Sequence, residues 1–378
     1  MKCDSIMNHS TQSIYIHIPF CKSKCPYCDF ASWARKEDLI EKYFNALIYE
    51  IRTKCEAYLK LSTIRTIFIG GGTPSLIYPD YYVRLFEELK RFFIIDKDCE
   101  ITLELNPGTV KDEYLAEYKN LGVNRVSIGA QSFNDNILET LGRKHSVNET
   151  LEAINKTKSV GIDNFNLDFI FSVPGMTKDI WLETIYKAIE LEPKHISTYS
   201  LIIEPGTPFE HIYKDPKLLP TDETAFEFYY LLCKILKENG FIHYEVSNFA
   251  KKGFECKHNL VYWLAKEYYA FGVSAHRYIN GLRTCNVKDL ETYIANPNLE
   301  IITDYPINYN FEKIMLTSRL NEGFDMNLIE RVSTKSLSEI KKILYDLSSE
   351  GYLELSDKKV HLTDKGFFIN NEILIKLL

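Results

Sequence analysis

No run in this 378-residue chain approaches the ~20 consecutive apolar residues that a membrane-crossing helix needs. The opening segment, Met1 to Ser13, is polar and lacks the apolar stretch of a secretory signal, so a cytoplasmic location is expected. The nine cysteines are an odd number and do not suggest a disulfide framework, which fits a reducing compartment. A basic excess is missing too. The net charge of −7 argues against nucleic-acid binding, which needs a concentrated basic face. What remains, 45% hydrophobic and 26% charged, is an ordinary globular composition, long enough for one large domain and a small one.

The most informative shortage is local. Cys21, Cys25 and Cys28 stand in Ile14-Tyr-Ile-His-Ile-Pro-Phe-Cys21-Lys-Ser-Lys-Cys25-Pro-Tyr-Cys28-Asp-Phe30, a C-x3-C-x2-C spacing one thiolate short of a closed metal site. Structural zinc takes four protein ligands, and electron-transfer clusters are ordinarily held by four cysteines. A zinc knuckle would need a fourth Cys or His nearby, whereas the next cysteines downstream are Cys55 and Cys99. Three thiolates on a cubane [4Fe-4S] cluster leave one iron open to another ligand. The spacing resembles that of the radical S-adenosylmethionine (SAM) enzymes. The resemblance implies that SAM chelates the open iron and is split reductively to a 5'-deoxyadenosyl radical in a water-excluding cavity. The cofactor then carries the hard chemistry, and the protein supplies position and electrostatics.

From residue 14 to about 200, short β-branched runs alternate with longer amphipathic ones, the pattern of repeated βα units around a parallel sheet. Six strands are predicted: Ile14 to Ile18, Thr66 to Gly70, Glu100 to Leu105, Arg125 to Gly129, Asn164 to Phe169 and His195 to Leu201. Helical stretches separate them, among them Leu39 to Tyr58, Asp80 to Phe93, Val147 to Val160 and Asp179 to Glu190. The expected fold class is α/β, a partial (β/α)6 barrel open on one side, with functional loops at the C-terminal strand ends. The cysteine loop follows the first strand and belongs to that face. Polar groups recur at the next strand ends: Gly70-Gly71-Gly72-Thr73-Pro74, Glu104-Leu-Asn106-Pro107-Gly108, Ser127-Ile-Gly129-Ala-Gln131-Ser132 with Leu141-Gly142-Arg143-Lys-His145, and Asp168. Glycines let backbone N–H groups approach a ligand closely, and Glu104 is placed to bond ribose hydroxyls or an ammonium.

Five further segments make a closer match: Tyr15-Ile-His17-Ile-Pro19-Phe20-Cys21, Phe68-Ile-Gly70-Gly71-Gly72-Thr73-Pro74, Asn124-Arg125-Val-Ser-Ile-Gly129-Ala-Gln131-Ser132-Phe133, Tyr199-Ser-Leu-Ile-Ile-Glu204-Pro205-Gly206-Thr207-Pro208 and Tyr244-Glu245-Val-Ser247-Asn248-Phe249-Ala250. On these, the chain resembles the oxygen-independent coproporphyrinogen III oxidase family, and within it the HemW-type haem chaperones, over nearly its whole length. The resemblance implies that Tyr15, Tyr27, Gly71 and Glu104 hold the cluster-bound SAM. The oxidase binds a second SAM, whose contacts would fall on Gly72, Thr73, Gln131, Arg143 and Asp168.

Two departures separate the subfamilies. The oxidase carries a further Cys two places after the third cluster cysteine, where this chain has Phe30, and a long N-terminal arm, where only 20 residues precede Cys21. Three cluster ligands remain, but loss of the extra Cys puts propionate decarboxylation in doubt. In the other direction, His258-Asn259-Leu-Val-Tyr262-Trp263 matches the H-N-x-x-Y-W motif associated with haem binding in HemW-type proteins. A neutral imidazole is a standard axial ligand of haem iron. His258 is therefore the expected haem ligand, Cys256 is the alternative, and Lys251, Lys252 and Lys257 stand near enough in sequence to meet propionates. The similar segment Tyr268 to Arg277 is expected to line the open side of the barrel.

Beyond about residue 305 the pattern turns to helices and a hairpin with a Ser356-Asp357-Lys358 turn, a C-terminal α+β winged-helix-like module. Residues 305–378 hold ten Lys and Arg against eleven Asp and Glu, so a phosphate-binding surface is not expected there and a lid or docking module is. The expected divisions are a tail at 1–13, the barrel at 14–215, an extension carrying the H-N-x-x-Y-W motif at 216–304 and the C-terminal module at 305–378. Three functions fit these features. One is a [4Fe-4S], SAM-binding carrier that hands haem to cytoplasmic or membrane-bound haem proteins, with membrane contact through those recipients and homodimerisation among its expected partnerships. The others are oxidation of coproporphyrinogen III to protoporphyrinogen IX and radical SAM chemistry on an unrelated substrate.

Overall fold

The computed structural model describes residues 12–56, 62–304, 308–356 and 358–378. Six parallel strands form its centre: β1 (Ser13–Ile18), β2 (Ser62–Gly71), β3 (Phe93–Leu105), β4 (Arg125–Gln131), β5 (Phe165–Phe171) and β6 (His195–Ser200). Each strand alternates in one sense. Ile14, Ile16, Ile67, Ile69, Leu103, Val126, Ile128, Leu167 and Ile196 are buried in the main core. The residues between them, Phe68, Glu104, Arg125, Ser127, Gly129, Asn166, Asp168, Ser197 and Tyr199, line a single cavity. Because successive side chains of a strand point to opposite faces, the sheet presents one apolar and one largely polar surface. Parallel strands buried under helices on both faces usually read as continuous apolar runs. The alternation here marks a curved sheet whose concave side holds a site.

Helices cover the apolar side: α1 (Ile40–Glu56), α2 (Pro79–Phe92), α3 (Asp112–Asn120), α4 (Val147–Ser159) and α5 (Lys178–Glu190). Their starts are set locally. Ser146 and Glu149 form a reciprocal capping box on α4, and Thr177 caps α5. The predicted tail at 1–13 lies outside the described residues except for Gln12 and Ser13.

The six expected strands are extended to nine. β7 (Ile242–Glu245) and β8 (Asn248–Ala250) form a hairpin added antiparallel to β6, and β9 (Tyr269–Phe271) adds parallel to β1, giving the order β9-β1-β2-β3-β4-β5-β6-β8-β7. Among the described residues the two ends of this order do not pair, so the sheet stays open. Between the sheet's last helix, α6 (Asp222–Glu238), and β9 lies α7 (Lys257–Trp263), which carries the H-N-x-x-Y-W segment. A small antiparallel sheet follows, with β10 (His276–Ile279), β11 (Leu282–Asn286) and β12 (Glu300–Asp304). A buried polar cluster fastens it to α1: Glu50 accepts from Lys54 Nζ at 2.6 Å, Asn286 Nδ2 at 2.6 Å, the Tyr293 hydroxyl at 2.6 Å and the Gly272 N–H at 2.9 Å.

The C-terminal region combines helices at Tyr309–Thr317, Met326–Val332 and Leu337–Ser349 with β13 (Phe324–Asp325), β14 (Leu353–Ser356) and β15 (Lys359–Leu362), in the order β13-β15-β14. Of the predicted hairpin turn, Asp357 lies outside the described residues. This region packs on α6 and β7 through Asp364, which accepts from Lys237 Nζ at 2.7 Å and pairs with His243 Nδ1 at 2.9 Å.

Candidate functional site

The C-terminal ends of the strands open on a cavity of about 370 Å³. The cysteine loop is clamped to it from several directions. The N–H of Trp33 donates to the Pro19 carbonyl at 2.8 Å, closing the base of the loop, and the Cys28 N–H donates to the Cys25 carbonyl at 3.1 Å, turning the chain between the last two thiols. The loop is stitched to the glycine turn after β2 by Gly72 N–H to the Ile18 carbonyl and Thr73 N–H to the Phe20 carbonyl, both 2.8 Å. All three cysteines are half-buried and line the cavity. Thr73 Oγ1 lies 3.5 Å from Cys21 Sγ, and Arg143 Nη1 lies 3.4 Å from Cys25 Sγ. Burial pushes the Cys21 and Cys28 thiols up, and the Thr73 hydroxyl and the Arg143 cation pull Cys21 the other way.

This donor set fits an iron–sulfur cluster with an open iron. Three sulfurs converge on one cavity, and among the described residues no fourth Cys and no His lines it. The glycine turn packs closely against the start of the cysteine loop. At Gly71, with φ of +117°, a Cβ would sit 2.5 Å from the His17 ring, and at Gly72 it would sit 2.8 Å from the Phe20 carbonyl oxygen. The Gly71 N–H is bonded to Glu104 Oε2 at 2.8 Å. Burial lifts Glu104 to about 7, the nearby Asp168 adds to the rise, and the Gly71 N–H opposes it. Asp168 is also raised by burial, against hydrogen bonds from Ser127 Oγ at 2.9 Å and Asn166 Nδ2 at 2.7 Å. Two buried carboxyls held above their ordinary range favour a cationic ligand, which would return them to the charged form. Arg143 also donates to Asn106 Oδ1 and to the Gly129 carbonyl at 3.2 Å, and its buried Nε has no partner among the described residues.

Cys21, Cys25, Cys28, Tyr27, Gly71, Gly72, Thr73, Glu104, Gln131, Arg143 and Asp168 thus line one cavity. Two of the expected site residues do not. Tyr15 stacks on Phe68 with ring centroids 6.3 Å apart, and its hydroxyl lies 2.9 Å from His17 Nδ1. His17 Nε2 meets the Ala31 carbonyl at 2.8 Å. A carbonyl only accepts, so Nε2 carries the proton, and the neutral ring, lowered to about 4 by burial, takes the Tyr15 proton on Nδ1. Tyr15 thereby positions the cysteine loop through His17.

His258 departs further from expectation. It is 1% exposed, and both ring nitrogens are engaged, Nδ1 with Thr66 Oγ1 and Nε2 with the Tyr262 hydroxyl, each at 2.8 Å. Burial lowers it to about 3, so it is neutral. Its backbone N–H and that of Lys257 donate to Glu100 at 3.1 and 3.2 Å, so a β3 carboxylate caps α7. Cys256 is wholly buried, with Sγ 3.8 Å from Glu100 Oε1 and a thiol pushed up to about 12. As placed, neither residue offers iron an open atom. Lys251 points its Nζ to the Asn239 carbonyl, and Lys251, Lys252 and Lys257 are absent from the cavity lining. The motif reaches the cavity through Asn259 instead. Asn259, Asn106, Asn166, Ser197 and the fully buried Arg125 are lining residues that motif reading passed over, although all but Asn106 and Asn259 follow from strand alternation.

Comparison with known proteins gives the family and a likeness of fold. Residues 15–188 match the Radical SAM superfamily and residues 306–369 the HemN C-terminal domain. Heme chaperone HemW of Haemophilus influenzae is 37% identical over 372 residues, covering 96% of each chain. Heme chaperone HemW of Bacillus subtilis is 34% identical over 374 residues, covering 96% of this chain and 98% of its own. The counterpart of the same name from Escherichia coli is 35% identical over 379 residues, covering 96% and 97%. Among solved structures, coproporphyrinogen III oxidase (HemN) from Escherichia coli superposes with a TM-score of 0.82 at 20% identity, covering 98% of this chain and 90% of that one, a likeness of fold. On relatives of this identity over nearly their full length, the chain belongs to the HemW family of the radical SAM superfamily.

Proposed function

We propose that this protein holds a [4Fe-4S] cluster on Cys21, Cys25 and Cys28, binds SAM beside it, and acts as a haem chaperone that hands haem to recipient haem proteins. The observation that carries the cofactor assignment is the convergence on one cavity of three thiols and, among the described residues, no fourth Cys or His. When bound, the cluster supplies an open iron for SAM and the electron for its reductive cleavage. The chain's own residues do the rest. The Gly71–Gly72 turn lets the cysteine loop and His17 pack against the end of β2, Glu104 and Asp168 meet the ligand's positive charge, Arg143 screens the thiolates beside Cys25, and Tyr15 with His17 holds the loop closed.

Full-length relatives named as heme chaperones support the carrier function over the oxidase, whose likeness is one of fold at 20% identity. Phe30, standing where the oxidase has its further cysteine, supports the same choice. No helix among the described residues is long and apolar enough to cross a membrane, in keeping with a cytoplasmic carrier that meets membrane-bound recipients at their surface. The test is to reconstitute the cluster anaerobically and supply SAM, reductant and coproporphyrinogen III, with haem titrated into a parallel sample. Stable haem binding without porphyrinogen turnover is expected; protoporphyrinogen formed with 5'-deoxyadenosine would establish the oxidase instead.

A further inference from the structure

The cavity is lined by the cations Lys24, Arg125 and Arg143, which differ in how much of their hydrogen-bonding capacity is used. Lys24, exposed at the mouth with Asp29, donates from Nζ to the Phe30 carbonyl at 3.0 Å. Arg143 spends both terminal nitrogens, on Cys25 Sγ, the Tyr27 hydroxyl, Asn106 Oδ1 and the Gly129 carbonyl. Arg125 spends nothing. It is only 2% exposed, its buried Nε has no partner, and among the described residues no hydrogen bond or ion pair engages its guanidinium. It opens β4, whereas Arg143 bonds that strand further along, at Gly129 beside Cys25, so Arg125 lies deeper than the cysteine loop.

The groups that face Arg125 leave its donors unfilled. They are Cys256, Glu100, Tyr244 and Asp168. Burial holds the Cys256 thiol and the Tyr244 hydroxyl in their protonated forms. The two carboxylates act on the guanidinium through their field, while their oxygens accept from other donors: Glu100 from the Lys257 and His258 N–H groups, Asp168 from Ser127 Oγ and Asn166 Nδ2. A guanidinium has five N–H donors and can accept nothing, and leaving donors unmet away from bulk water is costly. These donors border a cavity, so a ligand can meet them.

We propose that Arg125 is a carboxylate-recognising residue on the cavity floor, taking one carboxylate of a bound ligand in two parallel hydrogen bonds. The planar fork of a guanidinium matches the two oxygens of a carboxylate. A phosphate would fit the fork as well, but it brings further negative charge towards Glu100, Glu104 and Asp168, whereas a carboxylate brings a single charge. The depth of Arg125 sets it apart from the groups of SAM that chelate the open iron at the level of the cysteines. Two sources of the carboxylate remain: a propionate of haem, or the amino-acid end of a second SAM. The proposal deepens the proposed function, and its SAM arm stands without the haem-chaperone reading.

The test compares full-length, cluster-loaded wild type with Arg125→Met and Arg125→Lys, with iron content and circular dichroism measured on the same samples. In one arm haem and its dimethyl ester, which lacks the propionate charges, are titrated into each protein. If Arg125 reads a propionate, the wild type prefers haem to the ester by about tenfold or more, and that preference collapses in Arg125→Met. In the other arm SAM bound per chain is counted by equilibrium dialysis, and an Arg125→Met protein that binds one SAM fewer than the wild type assigns the carboxylate to a second SAM. Should Arg125→Met lose iron or helical signal, Arg125→Lys, which keeps the charge but not the fork, decides by the same readings. A folded, iron-loaded variant in which the haem preference and the SAM count both match the wild type overturns the proposal. A wild type that binds no haem overturns the haem-chaperone function, and the SAM count then decides on Arg125 alone.

Discussion

Around Cys21, Cys25 and Cys28 the donor atoms face a cavity; around His258 they face one another. Both regions carry distinctive motifs, and both are held by hydrogen bonds, but the bonds fall on different atoms. The cysteine loop is fixed mainly through its backbone and through His17; Thr73 and Arg143 approach two of the sulfurs at long range, and all three remain half-buried at the cavity wall. The His258 region is fixed through the side-chain atoms that would bind a ligand, with Thr66 and Tyr262 taking both ring nitrogens. A buried polar group whose partners are already present gains nothing from a ligand unless those partners are released. Chemical readiness therefore follows from which atoms remain unspent. A third cluster makes the same point: Cys233, His243 and Asp364 lie within 4.8 Å of one another, a metal-like set by residue type, yet Asp364 is already paired with His243 and Lys237.

The largest effect is expected at the cysteine loop. Replacing Cys21, Cys25 and Cys28 together by Ala should remove essentially all reconstituted iron and the cluster's visible absorbance, read by metal analysis; iron at full stoichiometry would refute the ligand assignment. At the closed region, His258→Ala should leave Thr66 and Tyr262 short of partners and cost about 2–3 kcal/mol of unfolding free energy in urea. A variant of wild-type stability that had lost the haem spectrum would instead reopen ligation by His258.

The cavity's acid–base balance gives a smaller effect. Glu104 is raised in the folded state from its ordinary value near 4.5 to about 7, so it favours the fold below its unfolded value, and that contribution is lost as pH climbs through about 7. A cationic ligand prefers the ionised form, so SAM affinity should rise about tenfold between pH 6 and 8 in the wild type and stay nearly flat in Glu104→Gln, as read by equilibrium dialysis. A flat wild-type profile would separate Glu104 from the ligand. Smallest of all, Lys237→Ala at the third cluster removes a half-exposed ion pair and should cost less than about 1 kcal/mol in the same urea assay. Zinc added to the triple cysteine variant should find no site there.

Much of this was legible in the chain. The six central strands fall within a few residues of their predicted bounds, except that β2 and β3 begin earlier, because alternation over five or more residues is a strong local signal. The strands β7, β8 and β9, three or four residues each, are too short to show a period and owe their place to neighbours across the sheet. Eleven of the expected residues line one cavity because most sit near the end of a central strand or in the segment beyond it, while Asp168 faces it from the middle of β5 and Arg143 from beyond a short helix after β4. His258 was not, because its engagement depends on Thr66, 192 residues away. Phe30 stood in the sequence as a missing cysteine; its exposure on the cavity rim could only come from the structure.

The most direct test of the central claim is electron paramagnetic resonance of the anaerobically reconstituted, dithionite-reduced protein, with and without SAM, alongside iron and zinc analysis. A three-thiolate site with an open iron predicts about four iron per chain and a reduced-cluster signal that changes when SAM is added. One zinc per chain with no iron, or a cluster signal indifferent to SAM, would contradict it.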